Sequence, residues 1–167
     1  MAAVAPRKKA PPIELTSTDG KKFSLESSLA HGPVLAAFFK VSCPVCQYTF
    51  PFLERMYQQF RAAGAKEVQF WGISQDNAQY TERFAKEFGV TFPILIDEEP
   101  YETSSEYGLT HVPTVVLISP GGSVEISGDG FSKSDLLEIR KSLARHFNVK
   151  PAELFKPNEQ VPAFKPG

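Results

Sequence analysis

A chain of 167 residues with 42% hydrophobic content has the size of one domain and enough apolar side chains for one sizeable core. The 18 Lys and Arg nearly balance 19 Asp and Glu, so the formal charge of −1 gives no electrostatic basis for gripping nucleic acid or an anionic membrane. With 14 Phe against one Trp and two Met, the interior is expected to be aromatic, and none of these rings is assigned to a cofactor.

Residues 1–12 are rich in Ala, Pro and Lys and read as a flexible N-terminal tail. Arg7, Lys8 and Lys9 are followed by Pro11, Pro12 and Glu14 where the apolar core of a secretory leader would begin. No later stretch approaches the about 18 apolar residues of a membrane span, so the expectation is a soluble, cytoplasmic chain with no membrane or nucleic-acid partner. Ile13 to Leu15 and Lys22 to Leu25, divided by Asp19-Gly20, predict a small hairpin. The run Pro33 to Lys40 (PVLAAFFK) is nearly continuous in apolar residues, the pattern of a strand buried on both faces. From Pro44 to Ala63, Val45, Phe52, Leu53, Met56, Tyr57 and Phe60 recur at helical spacing, and Gly64 marks the stop.

Val68 to Ser74 predicts the next strand, and Gln79 to Phe88 an amphipathic helix closed by Gly89. Pro93 to Ile96 and Thr114 to Ser119 read as strands, the second turning through Pro120-Gly121-Gly122 into Val124 to Ser127. Asp135 to Phe147 predicts the last helix. Residues 13–150 therefore alternate strands and helices, the mark of an α/β layer fold. Residues 151–167 carry Pro151, Pro157, Pro162 and Pro166 together with Leu154, Phe155, Val161 and Phe164; they read either as a surface strap or as a disordered tail.

Cys43-Pro44-Val45-Cys46 lies where the strand Pro33 to Lys40 hands over to its helix, and these are the only two cysteines. In a reducing compartment an isolated Cys pair is more often catalytic or metal-binding than a structural staple. Residues three apart on a helix have Cβ atoms about 5–6 Å apart, close enough for a disulfide after small adjustment. Pro44 suits the first helical position, which makes Cys43 the N-cap with orphan N–H groups pointing toward its sulfur. That field favours the thiolate, the attacking species, and Lys40 just upstream is expected to add positive charge. Cys46, one turn deeper, is expected to be the less exposed thiol. The mechanism that follows is attack by Cys43 on a disulfide and resolution of the mixed disulfide by Cys46. A structural zinc needs four Cys or His ligands, and His31, His111 and His146 show no paired spacing, so no metal and no cofactor are expected. In His111-Val112-Pro113-Thr114, Pro113 stands at the entry to a strand and drives Val112 to an extended backbone, which could pair with a substrate strand.

With these motifs in this order, roughly residues 13–147 resemble the thioredoxin-like superfamily, in particular its TlpA/ResA and AhpC/TSA-type redoxin branch. The resemblance rests on Asp19-Gly20-Lys21 with Phe23-Ser24-Leu25, on the apolar strand before Cys43-Pro44-Val45-Cys46, and on Pro51, Gly72-Ile73-Ser74, Pro93 to Asp97, Val112-Pro113-Thr114 and Gly130-Phe131-Ser132-Lys133. It implies a thioredoxin-like fold, with a central mixed β-sheet flanked by helices and an N-terminal β-hairpin extension. It also implies that Pro113 is cis and packs against the Cys pair, and that Pro44, Val45, Val112, Pro113 and Phe131 contact the substrate. The activity implied is thiol-disulfide exchange with a protein or small-molecule disulfide, re-reduced by thioredoxin or another dithiol protein.

The chain departs from thioredoxin itself: Ser42 replaces the Trp before the first Cys, Pro-Val stands between the cysteines, and Ala37 occupies the position of a buried acid. One alternative is a peroxiredoxin-like thiol peroxidase with Cys46 as peroxidatic cysteine. Phe39 stands where that family has an upstream Pro, and no Arg occurs between Arg83 and Arg140 to activate peroxide. A second alternative is a copper-binding assembly factor using the Cys pair and His111.

Overall fold

All six residues of β3 (Val34–Phe39) are buried. Successive strand side chains point to opposite faces, so Leu35, Ala37 and Phe39 enter one apolar cluster while Val34, Ala36 and Phe38 enter another. In the computed structural model, which describes residues 4–167, β3 belongs to a seven-stranded sheet. The other strands are β1 (Glu14–Ser17), β2 (Lys22–Ser24), β4 (Gln69–Ser74), β5 (Ile94–Ile96), β6 (Thr114–Ile118) and β7 (Val124–Asp129), in the order β2-β1-β5-β4-β3-β6-β7. The strands β3, β4 and β5 are parallel, whereas β1, β2, β6 and β7 run antiparallel to their neighbours. This is the mixed α/β sheet with an N-terminal hairpin that the resemblance implied.

The helices are α1 (Leu25–Leu29), α2 (Pro44–Ala62), α3 (Ala78–Phe88), α4 (Glu102–Glu106) and α5 (Lys133–Phe147). On the Leu35 face lie Phe50, Leu53, Met56 and Phe60 of α2, Phe84 of α3, and Leu136, Ile139 and Leu143 of α5. Leu25 of α1 and Tyr107, just past α4, cover the other face. The aromatic interior is real: Phe39 stacks on Phe50 and Phe84 at centroid distances of 4.4 and 4.7 Å. Two helices escape the sequence reading because five residues are too few to display a 3.6-residue period. Of these, α1 is capped by Ser24, and α4 by the buried Asp97, which accepts from Ser104 N at 2.8 Å and Thr103 N at 3.3 Å. Helix α5 starts two residues before the expected Asp135, because Ser132 is its N-cap and accepts from Asp135 N at 3.2 Å. Among the described residues no helix is long and apolar enough to cross a membrane.

From Arg7 onward the N-terminal segment lies beside the start of β7. Arg7 N donates to Val124 O at 2.7 Å, Val124 N to Lys8 O at 2.8 Å, and Ala10 N to Gly122 O at 2.8 Å, with Ala10 buried. An edge strand's free backbone groups hold this part of the segment read as flexible; residues 1–3 lie outside the described residues.

Residues 151–167 form a strap, the first of the two readings the sequence left open. The chain turns back from α5 with Arg140 donating to the Pro151 and Ala152 carbonyls at 2.7 and 3.0 Å. Leu154 is 0% exposed, and the ring of Phe155 packs on Phe52 at 5.3 Å and Phe131 at 6.4 Å. Arg55 of α2 forks onto Glu159 at 2.7 and 2.8 Å, a bidentate pair with a fixed geometry. Beyond it β9 (Phe164–Lys165) runs antiparallel to β8 (Phe131–Ser132) as a separate two-stranded sheet.

Candidate active site: a dithiol at the head of α2

Cys43 is the N-cap of α2, with an extended backbone at φ −83° and ψ 115°, and Pro44 follows in the first turn. The Cys46 N–H donates to Cys43 Sγ at 3.1 Å, as the orphan amides of a helix start require of a cap. Cys43 is half-buried and Cys46 is 0% exposed, and both are free thiols. Burial, followed by hydrogen bonding to Cys43 and the charge of that neighbour, pushes the Cys46 thiol far above the ordinary thiol range. The buried sulfur of the pair therefore keeps its proton while the outer one faces solvent.

The loop that carries Cys43 is held from both sides. Val41 N donates to Asp76 Oδ2 at 2.8 Å, and Val41 O accepts from Gln47 Nε2 at 2.9 Å. Asp76 is itself placed by its own N–H, which donates to Ser74 Oγ at 3.0 Å. Sequence reading missed both clamps. Asp76 sits just past the end of an apolar strand, where a parallel sheet carries its functional loops, and that position was the available signal.

Opposite Cys43, its thiol donates to the Val112 carbonyl at 3.5 Å, so the extended residue before Pro113 does lie beside the sulfur. The Val112–Pro113 peptide is cis, in accord with the resemblance. Pro113 is buried, and its carbonyl accepts from Gly130 N at 2.8 Å, which joins the Pro113 loop to the Gly130 loop. Pro44 is exposed and Val45 half-buried on the sulfur's own helix.

One expected residue stands otherwise. Phe131 is 0% exposed, enclosed by Tyr48 at 5.0 Å, Phe52 at 5.7 Å and Phe155, so it supports the rim from beneath and presents no ring to a substrate. The strap covers it, a contact no local pattern displays. Lys40 is exposed, and its carbonyl accepts from Cys43 N at 3.2 Å. His111 turns its Nδ1 toward Asp129 at 3.6 Å and Thr110 Oγ1 at 3.0 Å. Among the described residues no three His, Cys, Asp or Glu side chains converge as a metal site would need.

This architecture occurs in known proteins. A solved solution structure of a candidate protein disulfide isomerase from Bacteroides thetaiotaomicron superposes with a TM-score of 0.79 at 24% identity, over 88% of this chain and 92% of that one. Thiol-disulfide oxidoreductase ResA of Geobacillus thermodenitrificans is 29% identical over 143 residues, 84% of this chain and 79% of the relative. The ResA of Bacillus subtilis is 29% identical over 115 residues, which span 69% of this chain and 62% of that protein's length. Residues 6–127, a segment that contains the dithiol, its clamps and the Val112–Pro113 loop, match the AhpC/TSA family, and the chain belongs to that family.

Proposed function

We propose that this protein is a thiol-disulfide oxidoreductase in which Cys43 attacks and Cys46 resolves. One observation carries the reading: a half-exposed sulfur capping a helix, with a fully buried second thiol one turn behind it and a helix amide 3.1 Å from the first. In the first step the Cys43 thiolate bonds to one sulfur of the partner disulfide, whose S–S bond breaks, and the other partner sulfur leaves and takes up a proton. In the second step Cys46 gives up its proton and attacks Cys43. The mixed disulfide breaks, the partner leaves as a dithiol, and the Cys43–Cys46 disulfide remains. Two electrons pass from the pair to the partner, which takes one proton from Cys46 and one from solvent, the latter matching the proton Cys43 releases on ionising, and a dithiol donor such as thioredoxin reverses the change in the chain. The substrate is a protein or small-molecule disulfide, and residence in the reducing cytoplasm belongs to the same proposal; cell fractionation tests the latter.

The family also supports peroxidase chemistry, but here that would require Cys46 to be the reactive thiolate. A sulfur that is fully buried and held protonated meets neither need of a peroxidatic group, an exposed sulfur and a ready negative charge. Cys43→Ser should abolish reduction of insulin disulfides, whereas Cys46→Ser should accumulate a covalent complex with insulin that a reductant dissolves on a gel. Equal turnover by wild type and Cys43→Ser removes the reading, and faster consumption of hydrogen peroxide than of disulfides replaces it with the peroxidase.

A further inference from the structure

The last residues of the strap return to the dithiol, running along the Gly130 and Val112 loops. Lys133 N donates to Ala163 O at 3.0 Å, and Ser132 and Phe131 pair with Phe164 and Lys165. Gly130, with φ +73°, makes room for this approach, since a Cβ there would stand 2.5 Å from Lys165 O and 3.2 Å from Gly167 N. Lys165 Nζ lies 5.0 Å from the centre of the Tyr48 ring, two residues beyond Cys46. Gly167 is so close to the Val112 carbonyl that a methyl group on it would overlap that oxygen, the same oxygen that accepts the Cys43 thiol proton.

An extended backbone lying along Val112 and Gly130, with Tyr48 of the dithiol's own helix as a neighbour, is the course a partner's strand would take to bring its disulfide to Cys43. We propose that residues 164–167 occupy the partner-strand position of the site and so determine which disulfides are served: small ones reach Cys43 past the strap, and protein ones must first lift it. The inference rests on the exchange chemistry proposed above. The attachment suits a removable occupant. Leu154, Phe155 and the Arg55–Glu159 fork hold the strap further back, whereas residues 164–167 meet the rest of the described residues through a two-residue strand pair, the Lys165–Tyr48 contact and the approach of Gly167 to Val112, with Phe164 53% exposed. Cys43 itself remains half-buried and not enclosed.

The test uses the full chain, reduced, as wild type and as Lys165→Ala, Gly167→Ala and the double variant. Lys165→Ala removes the hold on Tyr48, and Gly167→Ala forces the end away from Val112. Two pairs of rates are measured: alkylation of Cys43 by iodoacetamide and by a maleimide carried on a long polyethylene glycol, and turnover of a small aromatic disulfide and of insulin. An occupant lowers the apparent affinity of a competitor by the fraction of open sites, so the double variant should speed the bulky reagent and insulin about tenfold and the small partners less than twofold. Lys165→Ala, which leaves every backbone contact in place, should move the same ratios in the same direction by a smaller factor. Rates that rise equally for large and small partners, or do not change, overturn the inference. Alkylation does not depend on exchange chemistry: ratios that shift as expected without any disulfide turnover would leave the strap's role standing and remove the oxidoreductase reading. Normal turnover with unmoved ratios would do the reverse.

Discussion

Leu154→Ala is the perturbation that separates a built strap from a loose tail. The side chain is 0% exposed and belongs to the cluster formed by α2, α5 and the Leu35 face of the sheet. Removing the buried carbons costs about 0.8 kcal/mol per methylene-sized group, so roughly 2.4 kcal/mol for the three lost between Leu and Ala. The strap can settle into part of the space, which keeps the cavity contribution small and puts the expected loss at about 2.5–4 kcal/mol, within the range for buried Leu to Ala changes. For a chain of this length that corresponds to a fall of roughly 5–15 °C in melting midpoint. Urea unfolding followed by Trp71 fluorescence measures it, with the slope of free energy against urea unchanged if the denatured state is unaffected. A loss below about 0.5 kcal/mol, the size typical of exposed substitutions, would refute the reasoning and return residues 151–167 to the status of a tail.

Two further outcomes are expected. The Arg55 fork, assisted by the Lys156 amide, lowers the Glu159 carboxyl from 4.5 to about 2, so its contribution to stability is present above pH 4.5 and is lost as the pH falls from there through about 2. The stability difference between wild type and Glu159→Gln, read as urea midpoints, should therefore be constant at neutral pH and close as the medium approaches pH 2; a constant difference across that window would contradict the assignment. Asp76→Ala strips the acceptor from Val41 N and should cost about 1–2 kcal/mol. It should also slow reaction of Cys43 with a small disulfide several-fold, and Asp76→Asn, which keeps an acceptor oxygen, should restore most of the rate; wild-type speed in Asp76→Ala would show that the clamp does not position the sulfur.

The dithiol was legible in the chain because its placement obeys local rules. A Pro at the first helical position, an apolar strand before it and helical spacing after it together locate Cys43 as a cap and Cys46 one turn deeper. The sheet was legible for the same reason, since β3 is an unbroken apolar run and β6 nearly one, and their burial on both faces needs no distant information. What stayed hidden depends on partners far along the chain. The hydrogen bond from Val41 to Asp76 spans 35 residues, and the Arg55–Glu159 fork spans 104. The resemblance implied that Phe131 contacts the substrate, because the loop that carries it lies at the partner-binding rim. Its burial is completed by Phe155, whose position in a Pro-rich stretch shows no periodicity. Short helices such as Leu25–Leu29 fall below the length at which periodicity can be seen.

Sheets whose outermost strands keep a free ladder of N–H and C=O groups invite neighbours to add on, and self-association follows. Here one outer strand, β2, is only three residues long and begins with a lysine, which discourages stacking of copies. The opposite one, β7, begins under the backbone of Arg7 to Ala10, so its first rungs are already taken. A chain lacking its first ten residues would uncover those rungs beside the buried Val124 and should be more prone to aggregate on refolding, although nothing near the two sulfurs would have changed.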